Sequence, residues 1–141
     1  MAEAQTVVIA TSVLFSALVR DESTFTELLL HSNYRLFICE YVFVELFKPK
    51  AKLMQSSQLS EEEILRLLYI ILRRINVYKE SLIRFENRQK AFELCKDIDE
   101  KDTPHVALAL ELDALLWTGD KKLKNALKKK GFTQFFVPPK T

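Results

Sequence analysis

The chain has 141 residues, 48% hydrophobic and 28% charged, the profile of one folded globular domain, taken as 1–141, and not of a disordered chain. Gly119 and Gly131 are its only glycines, too few for a dinucleotide fingerprint and without the spacing of a Walker loop. The 21 basic and 19 acidic residues leave a net charge of +2, too near neutral to announce a nucleic-acid binder, so local charge must decide.

Residues 5–10 (QTVVIA) form a near-continuous β-branched run, the pattern of a strand buried on both faces. Thr11 and Ser12 read as N-caps for a short helix, VLFSALVRD, and residues 25–30 continue as a second helical piece. Residues 34–39 (YRLFIC) read as a second strand. Residues 40–54 carry apolar positions at 41, 42, 44, 46, 47 and 53, a helix disturbed by Pro49. Ser60 opens the clearest helix, because Glu63 completes a capping box and three glutamates suit the positive end of the helix dipole. Residues 75–78 (INVY) are a third strand, and 82–95 are helical. Thr103 and Pro104 supply an N-cap and a proline at the first helical position, and VALALELDA continues that helix. Residues 115–118 (LLWT) are a fourth strand, and Asp120 caps a lysine-rich helix that stops at Gly131. Residues 135–137 are a fifth strand, ended by Pro138 and Pro139. Strands separated by helices pair in parallel through crossovers. The expected fold is therefore a three-layer α/β/α sandwich around a parallel sheet of about five strands.

Cys39 and Cys95 are far apart, as are His31 and His105, so no CxxC or HExxH zinc spacing can be written. Isolated cysteines read as core fillers, although spacing alone leaves a Cys–His nucleophilic site open. The apolar stretches 7–19 and 64–72 are interrupted and shorter than the ~20 residues of a membrane span. No Lys or Arg precedes the first of them, which argues against a signal peptide. The expectation is a cytoplasmic protein that does not engage a membrane.

Open parallel sheets bind ligands beyond the carboxyl ends of their strands. That rule points to residues 10–12, 39–45 and 118–120. The helix starting at 102–104 feeds the fourth strand, and its direction alone is read as placing its start at the opposite edge. Glu45 is the one charge in YVFVELF. A buried carboxylate without a partner is costly, so Glu45 is either a snorkelling or lysine-paired residue or a metal ligand. Asp102 and Asp120 each precede a helix, where an aspartate serves as a cap or, on a shared rim, as a ligand. All-oxygen ligation selects hard cations such as Mg²⁺ or Mn²⁺, which act on phosphate esters. Lys121, Lys122, Lys124, Lys128, Lys129 and Lys130 put six positive charges in ten residues, and Lys48, Lys50 and Lys52 follow Glu45. Such runs are solvated helix faces or, beside a carboxylate cluster, holders of a phosphate backbone.

The segments VVIATSVLFSALV, YVFVELFKPK, EKDTPHVALALEL and LLWTGDKKLK, in this order, resemble a PIN-domain nuclease, the family of the VapC-like toxin ribonucleases. The resemblance runs from residue 7 to about 137. It implies that Glu45, Asp102 and Asp120 are metal-binding acids for Mg²⁺ or Mn²⁺, with Asp99 accessory. It makes Thr11, Ser12 and Thr118 polar groups that support them; from the basic runs, Lys48, Lys121, Lys122 and Lys124 are read as the nucleic-acid contacts. It also brings the Asp102 helix start to the site, which chain direction does not. The family places an aspartate at the end of its first strand, usually as Asp-Thr-Ser or Asp-Thr-Asn. Here Ala10 stands at that place, with Thr11 and Ser12 intact, and an alanine side chain has no lone pair for a cation. The substitution is either a deliberate inactivation or the mark of a natural degenerate member. The implied activity is endoribonucleolytic, by attack of a metal-activated water that leaves a 5′-phosphate, and it is weak or absent with Ala10. The implied partners are RNA, an antitoxin protein and a second copy in a homodimer, with 13–19 and 69–72 as apolar patches. The alternative function is a non-catalytic RNA- or protein-binding module on a degenerate PIN fold.

Overall fold

The computed structural model describes residues 5–20, 27, 33–48 and 60–138. In chain order these form β1 (Thr6–Ile9), α1 (Thr11–Arg20), β2 (Arg35–Cys39), α2 (Tyr41–Phe47) and α3 (Glu61–Leu72). Then follow β3 (Asn76–Tyr78), a 3-10 turn (Glu80–Leu82), α4 (Phe85–Cys95), a second 3-10 turn (Glu100–Asp102), α5 (Thr103–Glu111), β4 (Leu115–Trp117) and α6 (Lys121–Lys129).

The four strands pair in parallel in the order β3-β2-β1-β4, with Val7 opposite Leu36 and Val8 opposite Leu116. Successive strand residues point to opposite faces, and the cores divide accordingly. Val7, Ile9, Leu36 and Ile38 pack with Leu14 and Leu18 of α1, Val42 and Leu46 of α2, and Ile64, Leu68 and Ile71 of α3. Val8, Cys39 and Leu116 pack with Ala91 and Cys95 of α4, Val106 and Leu108 of α5, and Leu123 and Leu127 of α6. Three layers result. β1 lies between β2 and β4 and is apolar throughout residues 7–10 because both of its faces are covered.

Local chemistry sets the helix ends. The Ser60 hydroxyl accepts from the Glu63 amide at 3.2 Å, and the Glu63 carboxylate accepts from the Ser60 amide at 3.3 Å, completing the capping box of α3. α6 stops at Gly131, whose φ of +95° is a left-handed conformation that glycine adopts without steric cost. α1 begins two residues earlier than the sequence pattern predicts. The Ala10 carbonyl accepts from the Val13 and Leu14 amides at 3.1 and 3.4 Å, so Thr11 and Ser12 lie inside the helix and do not cap it.

Two further expectations are corrected. The fifth strand is a single parallel bridge between Leu116 and Phe135, held by Leu116 N–H to the Gln134 carbonyl at 2.8 Å and Phe136 N–H to the Leu116 carbonyl at 2.9 Å. β4 is only three residues long, and Pro138 has no N–H to extend the pairing. The predicted helix over 82–95 divides, because Ile83 is buried in an extended conformation between the first 3-10 turn and α4. α2 covers 41–47; the rest of the helix predicted to 54 lies outside the described residues, as does the piece predicted over 25–30 except for Glu27.

Candidate active site

β1, β2 and β4 all end at the same edge of the sheet, and the loops beyond them carry the candidate residues. α5 starts at this edge as well. A helix that feeds a parallel strand ends where that strand begins, so it starts beside the strands' carboxyl ends. The directional reading made from the sequence is thus reversed, and Asp102 arrives on the rim with the others.

Glu45 projects from α2 with its side chain 20% exposed. Its partner is not a lysine. Glu45 Oε1 accepts from the Thr11 hydroxyl at 2.7 Å and from His105 Nε2 at 2.8 Å, and Thr11 Oγ1 lies 3.2 Å from the same ring nitrogen. A carboxylate oxygen can only accept, so His105 Nε2 carries the proton. Burial pushes the Glu45 carboxyl up, but the His105 and Thr11 hydrogen bonds and nearby Lys101 outweigh it and hold the group below its ordinary value.

Asp102 behaves in the opposite way. Its side chain makes no capping hydrogen bond to α5. Burial is the main cause that pushes its carboxyl from 3.8 up to about 6; Asp99, Glu45 and Asp120 add to the shift, and His105 opposes it. The four acids therefore share one electrostatic neighbourhood. Asp99 caps the 3-10 turn through Lys101 N–H at 3.0 Å. Asp120 caps α6, its Oδ1 accepting from the Leu123 amide at 3.1 Å. The buried Thr118 hydroxyl accepts from the Asp120 amide at 3.2 Å, and Ser12 Oγ from the Gly119 amide at 3.4 Å. These bonds tie the loop after β4 to the start of α1.

Ala10 lies at the end of β1, 3% exposed, on this same edge. Its N–H donates to the Trp117 carbonyl at 2.9 Å and its own carbonyl heads α1. The donor chemistry of Glu45, Asp102 and Asp120 suits a hard divalent cation. The arrangement does not complete a site for one: among the described residues, no three His, Cys, Asp or Glu side chains come together to hold a metal ion. As they stand, the residues present do not fit a metal centre, and Ala10 brings no ligand atom to this edge.

His105 is the residue that sequence reasoning passed over. It is 1% exposed, its Nδ1 has no hydrogen-bond partner, and it braces Glu45. A signal was present: His105 is a lone polar side chain in an apolar helical run, three residues past Asp102 and so on the same helix face. A Glu45→Leu, His105→Leu double-mutant cycle is expected to give a coupling of about 1.5–3 kcal/mol, the scale of a hydrogen bond to a charged group. Urea denaturation of the four proteins measures it, and additive losses would contradict the pairing.

The cysteine alternative closes. Cys39 and Cys95 are buried free thiols, each pushed by burial up to about 11, so neither is a ready nucleophile. Lys121 and Lys122 are exposed and Lys124 half-exposed at the start of α6, next to Asp120, and Lys48 is exposed just after α2. Lys130 is drawn away to Asp97 and to the Leu94 carbonyl. Lys50, Lys52 and His31 lie outside the described residues.

The PIN domain family profile matches residues 8–132, and the chain belongs to this family. Members of the family are in general nucleases that use divalent metals. No curated protein matches the chain in sequence. Among solved structures, the fold is similar to VapBC2 from Rickettsia felis, bound to a DNA fragment from its promoter. That match has a TM-score of 0.67 and 22% identity over 86% of this chain and 93% of the other. It is also similar to VapBC-1 from nontypeable Haemophilus influenzae, with a TM-score of 0.61 and 21% identity over 89% of this chain and 94% of the other.

Proposed function

We propose that this chain is a PIN-type endoribonuclease framework disabled at Ala10, the toxin of a toxin–antitoxin pair. The observation that carries the reading is the shared neighbourhood of Glu45, Asp99, Asp102 and Asp120 around the end of β1, with the Asp102 carboxyl pushed up to about 6. Acids close enough to raise the pKa of one of their number mark a candidate functional site, and a divalent cation bound among them would offset that repulsion. With an aspartate at position 10, that residue, Glu45, Asp102 and Asp120 would hold Mg²⁺ or Mn²⁺, and Asp99 would assist. Thr11, Ser12 and Thr118 orient the loops that carry them. Lys121, Lys122, Lys124 and Lys48 would receive the RNA phosphates, because a basic helix start beside the acids holds the backbone while the acids address the scissile ester. The likeness to two VapBC structures supports an antitoxin partner.

The proposed homodimer loses one of its patches. Leu14, Ala17 and Leu18 of the 13–19 stretch are core, whereas Tyr69 and Ile70 of α3 are 63% and 48% exposed. No helix among the described residues is long and apolar enough to cross a membrane.

One observation favours the second reading, a binding module for RNA or protein. Glu45 is satisfied inside the protein by Thr11 and His105 and does not wait for a cation. Expression in a bacterial host separates the two. The Ala10→Asp form is expected to arrest growth and to leave RNA fragments with 5′-phosphates, while the parent chain does neither. Harmless Ala10→Asp protein, expressed and folded, would favour the binding module.

A further inference from the structure

Beside the acid cluster lies an open cleft of about 300 Å³, lined by Tyr41, Glu80, Phe92, Glu100, Lys101 and Pro104. It continues the candidate site along the carboxyl edge of the sheet. Tyr41 precedes Glu45 by one helical turn on α2, so the two share a face. Lys101 precedes Asp102, and its charge is felt at Glu45. Glu80 follows β3 directly, in the 3-10 turn at that strand's carboxyl end. Phe92 leaves the face of α4 44% exposed, although aromatic rings are ordinarily drawn into cores.

We propose that this cleft receives one unpaired base of a single-stranded RNA, next to the phosphodiester presented to the acids; the inference rests on the ribonuclease reading. The lining selects the occupant. Glu80 and Glu100 against the one ammonium of Lys101 repel a phosphate, so the polyanionic backbone stays outside, on the lysines of α6. A base is flat and uncharged, and aromatic side chains such as Tyr41 and Phe92 offer it stacking surfaces. Carboxylates only accept hydrogen bonds. Glu80 and Glu100 therefore match the exocyclic amino groups of adenine, cytosine and guanine. Uracil has no amino group, and its one donor on that edge, N3–H, is flanked by two carbonyl oxygens that a carboxylate repels. The cleft discriminates against uracil.

The experiment measures fluorescence anisotropy of 5′-labelled RNA heptamers on the full chain, in EDTA so that nothing is cleaved. One heptamer is all uridine; three carry a central guanosine, adenosine or cytidine. The three are expected to bind at least about fivefold tighter than all-uridine, the lower range for one stacked base. Phe92→Ala should bring them down to the all-uridine level. A Glu80→Gln, Glu100→Gln double variant should remove the discrimination without lowering all-uridine affinity. Phe92 and both glutamates are at least partly exposed, so these variants should fold. Equal affinities for the four heptamers, or binding unmoved by Phe92→Ala, would overturn the cleft and leave the ribonuclease reading standing. No binding of any heptamer, together with no cleavage by the Ala10→Asp form, would remove both. An arginine-rich peptide that binds through Phe92 and Glu80 while RNA ignores them would make the occupant a protein and also overturn the proposal.

Discussion

Restoring a carboxylate at position 10 is expected to raise Mn²⁺-dependent cleavage of single-stranded RNA by at least about a hundredfold over the chain as it stands. Even the loss of a group that only supports a metal ligand costs 10–100-fold, and on the proposed reading position 10 is itself a ligand position. The geometry makes the gain local. Ala10 closes β1 by its bond to Trp117 and heads α1 through its carbonyl. An aspartate there keeps both backbone contacts, and as a helix-capping residue it is preferred to alanine. On the proposed reading its carboxylate joins those of Glu45, Asp102 and Asp120, because Ala10 lies at the end of β1 beside Thr11, which itself bonds Glu45. In the restored protein, Glu45→Gln or Asp120→Asn should abolish the gain. Cleavage that survives both, with contaminating nuclease excluded, would mean that the acids are bystanders.

The second large effect is on stability. Asp102→Asn is expected to stabilise the metal-free protein above about pH 6 by about 1–2 kcal/mol, a rise in melting temperature of about 3–8 °C. The Asp102 carboxyl titrates near 3.8 in an unfolded chain and at about 6 in the fold. Between those values the folded state binds more protons than the unfolded one, so stability falls as pH rises through the window, and the full cost persists above it. The figure is set below the full shift because Asp102 is partly exposed and solvent screens it. Asparagine also forfeits an acid at the start of α5, worth about 0.3–1 kcal/mol, yet the relieved burial and repulsion are larger. Glu45 has the opposite sign: its lowered value contributes stability that is present above 4.5 and lost as the pH falls. The gain from Asp102→Asn should accordingly shrink toward pH 4. Thermal melts at pH 7.5 and pH 4 measure it. A gain of equal size at both would contradict the assignment.

Why some of this was legible in the sequence and some was not is itself physical. β-branched runs and helical spacing mark β1 and α3 because burial on two faces or on one leaves a period in the residues themselves. Glu45 announced itself by its apolar neighbours. The fifth strand did not reduce to one bridge on paper, since pairing depends on the length of β4 and not on the pattern of 135–137. The place of Asp102 depends on α5 running back against β4, which the family resemblance carries and residue periodicity does not. His105 was missed because its meaning comes from residues 60 and 94 positions away, Glu45 and Thr11. Nor did the sequence distinguish the two helix-start aspartates: Asp120 caps through its side chain, and Asp102 does not.

The most direct test of the account is the Mn²⁺ dependence of the melting temperature in the parent chain and its Ala10→Asp form, measured side by side. Binding to the folded state alone stabilises by RT ln(1 + [L]/Kd), about 2.7 kcal/mol at a hundredfold excess over Kd. The Ala10→Asp protein should show a clear upward shift that saturates with Mn²⁺, and the parent chain a much smaller one. Equal shifts in the two proteins would mean that position 10 holds no ligand, and that the acids of this edge do not form the site assigned to them.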